Sequence, residues 1–222
     1  MAQMKDNTNI YRQAPAAGGN PSKLVIFLHG YGADGKDLID LANPFSMALP
    51  NATFISPDAP FPCAMSPQGR QWFSIEEIPM GAIQASNNLL SLIEKEAISV
   101  GLNFKDVILI GFSQGAMMAM QCLLISKKQL AGIIGYSGAL RLENVQAAKH
   151  NIIDEKHKYF STPVLLVHGE QDEVVPFISL EKSKLLLDQV GFDTNIFARP
   201  NLGHGIDPDG ISKGMEMLKK LN

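Results

Sequence analysis

The 222-residue sequence predicts an α/β fold, a mostly parallel central sheet with helices on both faces, in a single domain over residues 1–222. Three observations predict it. Six short apolar runs recur along the chain, and segments of helical periodicity separate most of them. The runs are apolar throughout instead of alternating, as strands covered on both faces are. A hydrophobic content of 45% is ample for the core of one such sheet.

Residues 1–20 hold no apolar core of signal-peptide length and read as the one flexible end. The first strand falls at 24–28 (Leu-Val-Ile-Phe-Leu) and the second at 53–56, with a glycine-rich loop and a short run broken by Pro44 between them. A long loop follows from Pro57 to Pro79. Residues 81–100 carry Ile83, Leu90, Ile93, Ala97 and Val100 at helical spacing, and Gly101 reads as the C-terminal cap. Strands are expected at 107–110, 133–136, 164–167 and 195–199, and further helices at 179–190 and 211–221. The stretch 138–162, where a large lid would be inserted, is short and polar.

The strand at 107–110 runs straight into Gly111-Phe112-Ser113-Gln114-Gly115 and then a helical segment, the layout of a nucleophile elbow. So tight a strand-to-helix reversal leaves no room for side chains at Gly111 and Gly115, and it presents the Ser113 hydroxyl at a helix N-terminus. A serine hydroxyl needs a base and a group to orient that base. His150 and His157 lie in a polar run, while His29 and His168 read as histidines hydrogen-bonded at strand ends. His204 sits between Gly203 and Gly205 after the 195–199 strand, where the backbone can turn its imidazole back over the sheet, and it is the expected base. The acid belongs between them in chain order. Asp172, in the turn after the 164–167 strand, fits best. Glu170 and Glu173 compete from the same turn, Asp154 has no strand before it, and Asp188 and Asp193 flank a helix end. Ser113, Asp172 and His204 thus each follow a different strand at the C-terminal edge, where sites in parallel sheets gather.

The loop Gly30-Tyr31-Gly32-Ala33-Asp34-Gly35-Lys36-Asp37 admits other readings. It begins like a phosphate-binding P-loop, but Asp37 stands where a magnesium-binding hydroxyl would be needed. Gly30-x-Gly32-x-x-Gly35 also matches the dinucleotide fingerprint, which requires a long helix directly afterwards, and Pro44 shortens the one here. The nucleophile-elbow reading instead uses an amide of this loop, with the one just after the nucleophile, as an oxyanion hole.

Four ordered blocks, 27–35, 111–115, 168–176 and 203–206, resemble the phospholipase/carboxylesterase family, which includes bacterial carboxylesterases and the acyl-protein thioesterases; the likeness spans residues 20 to 220. The resemblance implies the α/β-hydrolase fold without a large lid domain, and a serine esterase needing no cofactor. It implies Ser113, Asp172 and His204 as the triad and the N–H groups of Tyr31 and Gln114 as the oxyanion hole. Its substrates would be small-molecule acyl esters or thioesters, acylated protein or lysophospholipid, and it leaves the oligomeric state open, a homodimer included. Ser74 stands where the family block reads Asp, and Ala116 where the thioesterase branch commonly has a second glycine; both bear on acyl-protein specificity.

Composition narrows the alternatives. A net charge of −3 offers no basic field for nucleic acid. No run could span a bilayer, so a cytoplasmic protein without stable membrane insertion is expected. Cys63 and Cys122 read as reduced thiols, and no His/Cys/carboxylate cluster suggests a metal. A catalytically inactive fold serving as a binding module is the remaining alternative, though no triad member is missing. In the 57–79 loop, Met65, Trp72 and Phe73 are candidates for an apolar acyl wall, and ordinary packing accounts for them equally well.

Overall fold

The computed structural model describes residues 9–153 and 161–222. Asp154 and His157 of the polar run, and the first eight residues, lie outside the described residues. Seven strands form one sheet in the order β1 (Ile10–Gln13), β3 (Ala52–Pro57), β2 (Lys23–Leu28), β6 (Val107–Phe112), β7 (Gly132–Tyr136), β8 (Val164–Gly169) and β9 (Thr194–Arg199). Every pairing is parallel except β1 with β3. β4 (Phe61–Cys63) and β5 (Ser66–Gln71) make a separate antiparallel hairpin.

All six predicted strands are present within two residues of their expected ends. Their side chains alternate between two cores. In β2, Leu24, Ile26 and Leu28 join the core beneath α3 (Met80–Ser99) and α4 (Gln114–Ile125), while Val25 and Phe27 join the opposite one. That second core includes residues of α1 (Lys36–Ile39), α2 (Ala42–Ser46) and α7 (Pro208–Lys219), and Phe27 stacks on Phe45 and Phe54 there. Both faces are therefore dry, which is why the strands read as unbroken apolar runs. α5 (Leu142–Ile153) and α6 (Ile178–Gln189) cover the first face with α3 and α4.

The sequence reading misses β1, the β4–β5 hairpin and α5. β1 carries a single aliphatic residue, Ile10, yet it pairs with β3 and is tied to α3 by Arg12–Glu96 at 2.8 Å. The β4–β5 hairpin contains Pro62 and Pro67, which ordinarily argue against a strand and are tolerated at edges. α5 lies within the stretch read only as short and polar.

Candidate active site

The elbow forms as its glycines require. A side chain on Gly111 would meet the carbonyl of Gly115 at 2.3 Å, and one on Gly115 the carbonyl of Leu28 at 1.8 Å. Ser113 takes φ 53°, a conformation that non-glycine residues rarely adopt outside functional turns. Its own N–H donates to Tyr136 O in the neighbouring strand at 2.8 Å, and α4 behind it is buried almost all round.

The three residues expected to converge do so. His204 Nε2 lies 3.0 Å from Ser113 Oγ, and His204 Nδ1 lies 2.8 Å from Asp172 Oδ2. Asp172 Oδ1 accepts the amides of Val174 at 2.9 Å and Val175 at 2.8 Å. Burial pushes the Asp172 carboxyl up, but the hydrogen bonds from His204, Val175 and Val174 outweigh it and hold its pKa below the ordinary value. An ionised Asp172 can only accept, so the proton on His204 sits at Nδ1 and Nε2 is free to accept from the Ser113 hydroxyl. Phe112 packs on the His204 ring, with centroids 4.9 Å apart. Glu170 and Glu173, the competing acids, are exposed and make no hydrogen bond to His204 among the described residues.

The loops bearing Asp172 and His204 touch. Gln171 N donates to Leu202 O at 2.9 Å, and a side chain on Gly169 would meet Leu202 O at 2.2 Å. At the base of the His204 loop, Arg199 Nε donates to Asp207 Oδ2 at 2.8 Å, and Asp207 also caps α7 through Gly210 N.

Tyr31 and Gln114 border the same cavity as Ser113. The Gln114 amide, first in its helix, has no intrahelical acceptor. Its side chain is a clamp: Oε1 accepts Trp72 N and Nε2 donates to Phe73 O, both at 2.9 Å. Trp72 Nε1 in turn donates to His29 O at 2.9 Å. His29 accepts Ala59 N on Nε2 at 2.9 Å, so its proton is on Nδ1, 2.7 Å from Gly30 O. Burial lowers its pKa below 6.5, outweighing the Gly30 bond and the more distant Asp58, Asp34 and Asp37. The loop of the alternative nucleotide readings is committed elsewhere: Gly35 N donates to Asp58 Oδ1 at 2.9 Å, and the helix after it has only 4 residues.

Of the three acyl-wall candidates, only Phe73 borders the cavity at Ser113. Met65 is at the hairpin tip, 85% exposed, and Trp72 is buried as the brace just described. The cavity, of about 940 Å³, is walled instead by Ile78, Met117, Leu140 and the face of α6 carrying Lys182, Leu185, Leu186 and Gln189. The spacing 182, 185, 186, 189 is a helical stripe that the sequence displays, but Lys and Gln at its ends give it the look of a solvated face. Ala116 fits at the start of α4 because Gly138 and Gly135 face its methyl. Cys63 and Cys122 are both free and buried. Among the described residues, no group of three or more His, Cys, Asp or Glu gathers as a metal site would, and no helix is long and apolar enough to cross a membrane.

Residues 13–222 match the family model described as Phospholipase/Carboxylesterase. A probable carboxylesterase of rice (Oryza sativa subsp. japonica) is 31% identical over 89% of this chain and 77% of its own length. An acyl-protein thioesterase 1 of Gibberella zeae is 28% identical over 93% of each. The crystal structure of esterase PE8 superposes with a TM-score of 0.86 at 32% identity, covering 97% of this chain and 99% of that one.

Proposed function

The chain belongs to the phospholipase/carboxylesterase family and is a carboxylic ester hydrolase, and from that premise we propose that it cleaves short- to medium-chain acyl esters or thioesters through an acyl-enzyme on Ser113. The single observation that carries this reading is the unbroken line from Ser113 Oγ through His204 to Asp172, with links of 3.0 and 2.8 Å.

In this reading His204 Nε2 takes the Ser113 proton as Oγ attacks the acyl carbonyl, and Asp172 stabilises the imidazolium that forms. The Tyr31 and Gln114 amides receive the negative charge that develops on the carbonyl oxygen. The tetrahedral adduct collapses, His204 protonates the departing alcohol or thiol, and a water molecule repeats the sequence on the acyl-serine. The acyl chain lies in the cavity between Phe73, Leu140 and α6, whose volume is at the upper end of the roughly 300–1,000 Å³ usual for small-molecule sites. Thioesters belong in the proposal because a relative similar along nearly all of this chain is named an acyl-protein thioesterase.

The test is a panel of p-nitrophenyl esters and acyl-thiocholine thioesters of graded chain length, with Ser113→Ala as the blank. The variant should fold normally and lose roughly 10⁴-fold or more in turnover. Turnover near that of the wild type in Ser113→Ala would refute the acyl-enzyme.

A further inference from the structure

Resting on the triad reading, we propose that His168 is a positioning residue for the acid: its Nε2–H holds the Asp172 turn closed, and the same nitrogen packs beside the carboxylate oxygen that accepts from His204. His168 ends β8 and is 1% exposed. Its Nε2 lies 2.9 Å from Val175 O and 3.2 Å from Asp172 Oδ2. Both neighbours are acceptors, so Nε2 must carry a proton, and the tautomer is set by its surroundings.

That one N–H does two things. Its hydrogen bond to Val175 O pins the 172–175 turn from behind, and the amides of Val174 and Val175, on the same turn, are the donors that hold Asp172 Oδ1. The same nitrogen lies 3.2 Å from Oδ2, the oxygen 2.8 Å from His204 Nδ1. With Oδ1 held by two amides and Oδ2 within 3.2 Å of both imidazoles, the carboxylate is held from several points. Phe177 closes over the His168 ring edge-on, with centroids 6.2 Å apart. A histidine that served only to cap its strand would need the carbonyl and not the carboxylate.

The test uses two amides of different reach. In glutamine the amide nitrogen is as many bonds from Cβ as His Nε2 is; in asparagine it is one bond closer and falls short. His168→Gln should therefore keep kcat within about threefold of the wild type. His168→Asn and His168→Met should lose about ten- to hundredfold in kcat with KM little changed, the scale of leaving a buried hydrogen-bond partner unsatisfied. The downfield proton resonance of the His204–Asp172 hydrogen bond should persist in His168→Gln and broaden or vanish in the other two. If His168→Met does not fold, the Gln/Asn pair decides alone. Equal kcat in the Gln and Asn variants overturns the role, as does a kcat loss that tracks thermal destabilisation with the resonance intact. Ser113→Ala run alongside separates the two claims: activity surviving there removes the triad and this proposal together, whereas a dead Ser113→Ala beside a fully active His168→Asn removes only this one.

Discussion

If the acyl chain lies in the Ser113 cavity as proposed, truncating a wall of that cavity should flatten the dependence of rate on acyl length. Leu186 borders the cavity from α6, while Trp72 is buried behind it. Each methylene taken from water is worth about 0.8 kcal/mol, so lengthening butyryl to octanoyl gains roughly 3 kcal/mol in a closed pocket. This cavity opens to solvent past Ile75, Leu142, Val174 and Leu185, each at least 50% exposed, and about half of that gain, roughly 1.5 kcal/mol or tenfold in kcat/KM, is expected. Leu186→Ala removes part of the wall and should reduce the octanoyl-to-butyryl ratio to about three- to fivefold, leaving acetyl esters untouched. Trp72→Ala should behave differently. It deletes a buried aromatic and its bond to His29 O, so it should cost about 3–5 kcal/mol of stability and slow all esters alike with the ratio preserved. The assay is kcat/KM across p-nitrophenyl esters from acetyl to dodecanoyl. An unchanged ratio in Leu186→Ala, or a flattened one in Trp72→Ala, would refute the placement of the acyl chain along α6.

Two further outcomes follow from the hydrogen bonds. Asp172→Asn should lower turnover on the order of 10³–10⁴ by mis-setting the His204 tautomer, while Glu170→Gln and Glu173→Gln, both exposed, should change it less than about threefold; a dead glutamate variant would move the acid. His29 is neutral and buried with its pKa lowered below 6.5, so the unfolded chain binds its proton more readily than the folded one. Its contribution to stability is complete above about pH 6.5 and is lost as pH falls through the folded pKa. A plot of Tm against pH from 7.5 to 5 should therefore drop more for the wild type than for His29→Gln, and parallel curves would refute this.

The sheet was readable because strands covered on both faces carry no polar alternation to confuse with other elements, and because a glycine in β6 and another in α4, on either side of Ser113, leave one compact backbone solution. The convergence of Ser113, His204 and Asp172 was readable through chain order, since Asp172 and His204 each follow a strand that the parallel arrangement brings to the same edge. What escaped had a common cause: residue type tells what a side chain can do but not which way it faces. Trp72 and Phe73 are adjacent and equally apolar, yet opposite orientations make one a brace beneath His29 and the other a cavity wall. His168 reads as a strand-end histidine, and only the distance to Asp172 Oδ2 separates that role from a part in the site.

The strained serine shows why so much of this chain is built around one turn. A non-glycine residue held at φ 53° costs about 1–3 kcal/mol, and it persists only where its surroundings leave no alternative. Here, relaxing Ser113 would have to move Gly115, against which β2 already presses, or α4, of which only Met117 escapes full burial. It would also drag Gln114 away from the backbone of Trp72 and Phe73. The side chain of Gln114 therefore does for its amide what Asp172 does for His204: it fixes direction. The order of the site is thus set by the packing of α4 and by hydrogen bonds one residue removed from the reacting atoms, so losses of activity without loss of fold should concentrate at Gln114, His168 and Arg199 as well as at the triad itself.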